Sequence, residues 1–347
     1  MPPVISARDL TKTFRGGIVA VSGLDLEIEA GVVYGLIGRN GAGKTTTLRL
    51  LMGLLRPDRG EVRILGGDLW SAPRSTRHRI AYVSQGQQVP DWMSLTDLCR
   101  YAAHFYDRWD RDIARDLANR WDLPWNHAIG RLSGGQQRLA ALLTALATRP
   151  GVLLLDEPAA GLDPIARHSL NDCLIEALLR SDGCTILLST HLIGDLERLA
   201  TRVGIMDRGR IVAAGEVDDW QRTVRKAQVV FPGEFVPREF NMPGALRSET
   251  LGPVITAICR APDDTVWDAI RTRYGARINV FPLTLEEVFV EMFRDRPTDP
   301  VNPHPGDNEG EFITISGQPG IRVDKGDTCR VGGAFQSTAP PAQRDRD

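Results

Sequence analysis

The chain has 347 residues, 42% of them hydrophobic, which is enough for one large domain or two ordinary ones. Its formal net charge of −2 gives no support for general nucleic-acid binding, because proteins of that class usually carry an excess of Lys and Arg. The sequence shows no secretory signal and no apolar run near the ~20 residues of a membrane span. Work at a membrane would therefore need a span from another chain.

Cysteine usage points to a reducing compartment. The five cysteines are scattered and form no C-x-x-C pair, which is typical of free thiols and not of a disulfide framework or zinc site. They are Cys99, Cys173, Cys184, Cys259 and Cys329.

Residues 4–30 predict short strands. One begins at 4–7, and the alternation of apolar and charged residues at 24–28 predicts another. Between them stands Phe14, for which the sequence leaves two interpretations open. Its ring either stacks on an adenine or belongs to the core.

Residues 38–45 fit the phosphate-loop pattern G-x-x-x-x-G-K-[ST] at every fixed position. A buried strand is predicted before the loop, at 32–37, and a helix after it, at 46–52. The glycines allow successive N–H groups to point at one phosphate chain, and the helix N-terminus adds partial positive charge. Lys44 is placed to reach the β- and γ-phosphates and Thr45 to ligate Mg²⁺. The stretch predicts nucleotide binding.

Two strands and a helical region are predicted next. The strands lie at 61–65 and 80–85, and the second ends on Gln85, which either contacts Mg²⁺ or the attacking water or is a surface residue. Residues 94–147 predict helices, with a capping box at the start in which Ser94 is followed by Asp97. The dense aromatic residues of this region are interpreted mostly as core, with some available as a docking surface.

A second helix start follows the pattern of an anion site. Ser133, Gly134 and Gly135 open a strong helix, and one phosphate chain does not need two such sites from one subunit. This suggests that the second site serves a nucleotide held by another copy. The alternative is an ordinary Ser-capped helix.

Carboxylates follow the next buried strand. Residues 152–155 are apolar, Asp156 then stands where phosphate-loop ATPases hold Mg²⁺, and Glu157 can polarise a water as general base. A further strand, 185–190, leads to His191. A lone His is often a surface residue, but a place at the end of a parallel strand favours a functional role.

Taken together, residues 4–220 resemble the ATP-binding cassette (ABC) ATPase family. The diagnostic motifs occur in order, and the signature sequence is the specific one because ordinary phosphate-loop kinases and GTPases lack it. One departure is that Ala159 and Ala160 replace the more usual Thr-Ser before the D-loop. The motifs are the phosphate loop 38–45, the Q-loop Gln85, the signature 132–136, the Walker B strand 152–156 with Glu157, the D-loop around Asp163 and the switch His191.

The resemblance implies a mechanism in which two cassettes bind head to tail. Each ATP, with Mg²⁺, then lies between the phosphate loop of one subunit and the signature of the other. The implied catalytic residues are Glu157, His191, Lys44 and Gln85. The implied metal ligands are Thr45, Gln85 and Asp156. The implied nucleotide contacts are Phe14, Gly38, Asn40, Gly41, Ala42, Gly43, Lys44, Thr45, Thr46, Ser133, Gly134, Gly135 and Gln136.

The implied fold is an α/β phosphate-loop cassette with a mainly parallel core sheet, an antiparallel β subdomain and a helical subdomain. We expect the cassette at 1–220, with its helical subdomain at about 86–147, and a small α+β appendage at 221–294. Residues 295–347 are rich in Pro, Gly and charge and predict a mostly disordered tail. Within that tail, 312–315 could pair as a strand.

The branch of the family is inferred from what is missing and from short segments. The spacing lacks the coiled coil of DNA-repair members, the second phosphate loop of translation factors and the zinc cysteines of excision-repair members. Segments 105–110, 192–198 and 284–289 resemble stand-alone bacterial multidrug and antibiotic exporter subunits. The resemblance implies a peripheral protein on the cytoplasmic face of the membrane, a second cassette, like or unlike, a separate permease and no nucleic acid. The alternative is a soluble ABC ATPase acting on nucleic acid or ribosomes.

Overall fold

The computed structural model describes residues 2–86, 89–179, 183–260, 264–293 and 313–314. Strands in these residues form three sheets. They are β1 (Ile5–Phe14), β2 (Ile18–Ile28), β3 (Val33–Gly38), β4 (Arg59–Ile64), β5 (Ile80–Val83), β6 (Val152–Asp156), β7 (Thr185–Thr190), β8 (Arg202–Asp207), β9 (Arg210–Glu216), β10 (Val224–Val230), β11 (Ala245–Leu251), β12 (Val254–Arg260), β13 (Arg277–Pro282) and β14 (Ile313–Thr314).

Helices lie between these strands in the described residues. They are α1 (Lys44–Leu51), α2 (Arg74–Arg77), α3 (Leu95–Phe105), α4 (Arg111–Arg120), α5 (Gly134–Ala147), α6 (Pro164–Leu179), α7 (Ile193–Leu199), α8 (Val217–Thr223), α9 (Asp264–Tyr274) and α10 (Leu285–Phe293).

The core sheet has seven strands in the order β14-β9-β8-β3-β7-β6-β5. All neighbours are parallel except β8 and β9, which form an antiparallel hairpin. Strands β3, β6 and β7 are buried along their whole length, which explains why each appears in the sequence as a continuous apolar run. The predicted parallel core is confirmed, and it brings the ends of β3, β6 and β7 to one edge.

Two smaller layers complete the cassette. An antiparallel sheet in the order β2-β1-β4 lies beside the phosphate loop, and helices α3, α4 and α5 form the helical layer. The capping box predicted from Ser94 is present, since Asp97 N donates to Ser94 Oγ at 3.1 Å. Asp110 caps α4 in the same way, through Asp112 N at 3.0 Å and Ile113 N at 3.1 Å. The predicted β and helical layers are both confirmed.

The appendage is built on the third sheet and has a hydrophobic core of its own. Its order is β11-β12-β10-β13, all antiparallel, and α9 covers one face through the buried Trp267 and Ile270. Helix α10 packs back on the cassette, because Leu285 and Val288 belong to the large central core. The expected boundary at residue 220 lies inside α8, so the chain enters the appendage without a linker.

Several boundaries differ from the expectation. Strand β1 runs on to Phe14, and β5 ends at Val83, so Gln85 lies beyond the strand and not at its end. Of the tail, 313–314 pair with β9 as expected for a strand, and the disorder predicted for the rest falls outside the described residues.

The cysteines in the described residues are buried free thiols, and Cys329 lies outside these residues. Burial raises the pKa of Cys99, Cys173 and Cys259 to about 11, because the thiolate loses its water. Among the helices that the structure describes, none combines the length and apolar character needed to cross a bilayer.

Candidate active site

The phosphate loop joins β3 to α1 and is shaped by glycine. Gly43 has φ of 106°, and a Cβ there would stand 2.2 Å from the Ala20 carbonyl oxygen, so only glycine fits against β2. Gly41 also has a positive φ, of 83°. The turn places the first amide groups of α1 at the end of β3. Nucleotide residues predicted from the pattern occupy this loop and the first turn of α1, namely Gly38, Asn40, Gly41, Ala42, Gly43, Lys44, Thr45 and Thr46.

Lys44 is folded over the loop and is only 6% exposed. Its Nζ donates to the carbonyl oxygens of Gly38, at 2.7 Å, and Arg39, at 3.3 Å. Glu157 Oε1 lies 3.7 Å away. Burial lowers the pKa of Lys44, while the nearby carboxylates Glu157 and Asp156 oppose that shift. The ammonium group has therefore lost much of its hydration. Neutral carbonyl oxygens compensate for that loss only in part, and a phosphate would provide a stronger, anionic partner.

Asp156 has the arrangement that a divalent cation needs. Its Oδ1 accepts hydrogen bonds from Thr45 Oγ1, at 3.0 Å, and from Ser189 Oγ, at 2.6 Å. Its Oδ2 is buried and, within the part of the chain that the structure describes, has no hydrogen-bond partner. A buried carboxylate oxygen without a donor is costly, and a hard cation with oxygen ligands would satisfy it. Thr45 and Asp156 therefore fit Mg²⁺. Ser189 was missed in the sequence, since a Ser inside an apolar strand gives no signal of its own.

Glu157 and His191 are joined at the ends of neighbouring strands. Strands β6 and β7 are paired in parallel with Asp156 opposite Ser189, which brings the two following segments together. His191 Nδ1 lies 2.7 Å from Glu157 Oε2, and the His191 amide lies 3.4 Å from the same oxygen. A carboxylate accepts, so Nδ1 carries the proton and Nε2 is left as the second ring nitrogen. The sequence placed His191 at a strand end but did not predict its contact with Glu157, which arises from the register of β6 and β7.

Backbone geometry at Glu157 is unusual. Its φ is 52°, in the left-handed region that residues other than glycine seldom adopt. Its amide donates to the Ser189 carbonyl oxygen at 3.0 Å, and its own carbonyl oxygen accepts from Arg138 Nη1 at 2.6 Å. Arg138 was also missed, because it stands outside the pattern used to find the signature.

Phe14 and Gln85 lie at the margin of the cluster. The Phe14 side chain is 40% exposed, which contradicts the interpretation as a core residue and leaves the ring accessible to a ligand. Gln85 is exposed in the turn after β5. Among the described residues, no hydrogen bond links the Gln85 side chain to Asp156 or Glu157.

The signature forms the N-terminus of α5. Ser133 Oγ accepts from Gln136 N at 3.2 Å, and Gln136 Oε1 accepts from Ser133 N at 3.1 Å, which makes a reciprocal capping box. Gly134 and Gly135 follow in the first turn. Within the described part of the chain, no hydrogen bond joins 133–136 to the phosphate loop. That the start of α5 serves a nucleotide held by another copy stays a prediction.

Comparisons with known proteins agree with this geometry. The sequence pattern of the ABC transporter family matches residues 21–160. Nod factor export ATP-binding protein I of Burkholderia lata is 35% identical over 302 residues, which are 83% of this chain and 96% of that protein. ABC transporter ATP-binding protein YtrB of Bacillus subtilis is 28% identical over 292 residues, 84% of this chain and 98% of that protein.

A solved structure shows the same fold. An ATP-binding cassette in a dimeric post-hydrolysis state, bound to ADP and Pi, superposes with a TM-score of 0.55 at 25% identity. The superposition covers 61% of this chain and 98% of the solved cassette. The motifs, the fold and the relatives agree, and we conclude that the chain belongs to the ABC transporter family as an ATP-binding, ATP-hydrolysing subunit.

Proposed function

We propose that this chain energises an exporter by hydrolysing ATP against a separate membrane permease, to which it binds on the cytoplasmic face. The observation that carries the proposal is the convergence of Lys44, Asp156, Glu157 and His191 beside the phosphate loop. Groups suited to a phosphate chain, a divalent cation and an attacking water thereby lie within a few ångströms of one another.

Lys44 binds the phosphates by exchanging its partners. Its ammonium group now donates to the carbonyl oxygens of Gly38 and Arg39, both in the loop itself. When the β- and γ-phosphates enter, these oxygens are replaced by anionic ones, and the loop amides and the start of α1 hold the same phosphates. The exposed ring of Phe14 is assigned to the adenine.

Thr45, Asp156 and Gln85 are assigned to Mg²⁺. Bound there, the ion would neutralise charge that develops on the phosphate oxygens. Ser189 fixes the Asp156 carboxylate through Oδ1, which leaves Oδ2 available. Gln85 lies exposed on the turn beyond β5.

Glu157 is assigned as the general base and His191 as the group that orients it. The Glu157 carboxylate is buried, and a buried carboxylate that accepts one hydrogen bond from His191 retains a second oxygen for water. That oxygen orients the water for attack on the γ-phosphorus and takes its proton. His191, half-exposed at its ring, is able to reach the γ-phosphate through Nε2.

A second cassette completes each site. The similar cassette solved as a dimer supports pairing of two cassettes. We assign a head-to-tail arrangement, in which Ser133, Gly134, Gly135 and Gln136 clamp the ATP of the partner subunit. The helix N-terminus at Ser133 presents free amide groups for that purpose. The partner is a second copy of this chain or an unlike cassette.

The exporter assignment rests on relatives that match over nearly their full length. The printed name of the Burkholderia lata relative describes Nod factor export, and this chain covers 96% of it. Aromatic side chains exposed on the helical layer support a permease contact, since Trp92 is 75% and Tyr101 55% exposed. We divide the chain into a cassette (1–220, with helical subdomain 86–147) and an appendage (221–294).

The experiment is a tagged pull-down from detergent-solubilised membranes of the native host, with bound proteins identified by mass spectrometry. A multi-span protein recovered in near-equal amount with the wild-type chain is the expected result. The matched control is Lys44→Ala, which removes the phosphate ligand and leaves the docking surface unchanged. It should recover the same partner but show no ATPase activity.

One result would overturn the proposal. If the chain is recovered only from the soluble fraction, with ribosomes or nucleic acid bound, it acts as the other kind of ABC ATPase. The relatives do not favour that outcome.

A further inference from the structure

Glu157 is held in its left-handed backbone conformation from both sides. Its amide is bonded to Ser189 of β7, and its carbonyl oxygen is bonded to Arg138 of α5. A residue other than glycine at a φ of 52° stays there only when its surroundings over-determine it. This conformation is what directs the carboxylate of a residue at the end of β6 toward His191 and Lys44.

Arg138 is well suited to hold that carbonyl group. It is half-buried, and its Nη1 lies 2.6 Å from the oxygen, a short distance that is typical of a charge-assisted hydrogen bond. The guanidinium group is planar and carries N–H donors in a fixed arrangement, which suits a short bond to a backbone carbonyl oxygen.

Arg138 belongs to the same rigid helix as the signature. It lies five residues after Ser133, the N-cap of α5, and the capping box fixes the helix at that end. Further along, the buried Leu139, Leu142 and Leu143 fasten α5 into the central core. The N-terminus of α5 and the Arg138 side chain must therefore move together.

We propose that Arg138 is a positioning residue that ties the signature helix of each subunit to the catalytic glutamate of that same subunit. The inference rests on the proposed function, in which the signature clamps the ATP of the partner. When the signature binds the ATP of the partner, the N-terminus of α5 shifts toward that ATP. The Arg138 hydrogen bond then carries this shift of α5 to the Glu157 backbone. Each subunit then sets its own glutamate according to whether its partner holds ATP.

The first test compares steady-state ATPase activity of the full-length chain with Arg138→Met and Arg138→Lys. Methionine keeps the stem and removes the donors, so kcat should fall about 10- to 100-fold while KM for ATP stays within twofold. Lysine restores the charge and one donor, and it should recover most of the lost kcat. It also keeps the test decisive if the methionine variant unfolds.

The matched control is Arg77→Met. Arg77 also donates to a backbone carbonyl, that of Ala72, at 3.1 and 2.9 Å, but it lies in α2, and among the described residues no hydrogen bond or ion pair joins it to the site. Its kcat should equal that of the wild type. An equal fall in kcat for Arg77→Met and Arg138→Met would contradict the proposal. So would a fall in kcat that is accompanied by a matching fall in the unfolding temperature, since Arg138 would then act only through packing.

The second test uses mixed dimers in which one chain carries Glu157→Gln, so that only the site of the other chain turns over. Arg138→Met placed on the chain with the working glutamate should lower kcat as in the first test. Placed on the other chain, whose signature clamps the working ATP, it should change kcat by less than threefold. An equal effect from both chains would contradict the proposal.

Failure of the proposed function would look different. A wild-type chain that neither hydrolyses ATP nor dimerises with it would overturn the ATPase assignment. A wild-type level of kcat in an active Arg138→Met enzyme would overturn only the role of Arg138.

Discussion

The core sheet and the appendage sheet differ in where their polar side chains lie. In the core sheet most strand pairs are parallel, β3, β6 and β7 are buried along their whole length, and candidate site residues such as Asp156 and His191 lie at or just after strand ends. In the appendage the strands are antiparallel, and the outer strands β11 and β13 are largely exposed. Parallel pairing gathers strand ends at one edge, whereas antiparallel pairing distributes them to both. The candidate active site therefore lies at the edge of the core sheet, and none of the proposed site residues lies in the appendage.

The largest effect is expected from Glu157→Gln, at the end of β6. Losing the general base should lower kcat by about 10²- to 10⁴-fold, while ATP still binds and traps a closed dimer. Turnover measured by phosphate release and dimer formation measured by size-exclusion chromatography with ATP test both points. Glu176→Gln, an exposed carboxylate paired with Arg120, is the control and should behave as wild type. Wild-type turnover by Glu157→Gln would end the assignment of Glu157 as base.

The second-largest effect tests whether the appendage core and the cassette core are independent of each other. Trp267 is 4% exposed and belongs to the appendage core, so Trp267→Ala should destabilise the appendage by about 3 kcal/mol. ATPase activity at 25 °C should stay within twofold, since the site lies in the other core. Calorimetry and activity measured together test this. Trp220→Ala, in the cassette core, is the control and should reduce both. If Trp267→Ala lost ATPase activity together with stability, the appendage core and the active site would not be independent.

The third effect concerns the carboxylate that fits the metal. Ser189→Ala removes the 2.6 Å bond to Asp156 Oδ1 and should raise the Mg²⁺ concentration for half-maximal activity about tenfold. A magnesium titration of ATPase activity measures it. The control, Thr144→Ala on α5, removes a hydroxyl that donates to the Ala141 carbonyl oxygen, away from Asp156. An unchanged titration for Ser189→Ala would mean that Thr45 alone orients Asp156.

The smallest effect tests how the appendage is fastened to the cassette. Glu197 of α7 accepts a hydrogen bond from the Leu285 amide at the start of α10. Glu197→Gln keeps an acceptor but loses the charge that complements the helix N-terminus, so the free energy of unfolding should fall by about 1 kcal/mol. Urea unfolding measures it. Glu286→Gln, exposed one residue further along, should have a smaller effect. Equal losses of unfolding free energy in the two variants would show that the contact between Glu197 and Leu285 makes no specific contribution.

Prediction from sequence succeeded where one physical signal dominates. Phosphate-loop glycines, apolar runs and capping patterns determine β3, β6, β7 and the start of α3 locally. Strand β11 was missed because its side chains are mostly exposed and show no hydrophobic pattern. Helix α10 was noticed as a segment but not as a helix, since at nine residues it depends on packing against α7.

The site shows the same division. Residues with a motif, such as Lys44 and Glu157, could be predicted, although their assigned roles stay predictions. Ser189 and Arg138 have no motif, because their contacts to Asp156 and Glu157 arise from strand register and helix packing. Gln85 was predicted to end its strand, but β5 ends at Val83, since the end of a strand is set by its neighbours and not by its own residues.

The order of strands in the core sheet has a consequence for synthesis of the protein. Strand β3 lies between β7 and β8, which follow it by about 150 residues along the chain. At about 5–20 residues per second, β3 emerges from the ribosome on the order of 10–30 s before its neighbours. During that interval its apolar residues have no strand to pair with, and the nascent chain depends on chaperones or on slow elongation to stay unaggregated. A truncation that stops before β7 should therefore aggregate, although it contains the whole phosphate loop.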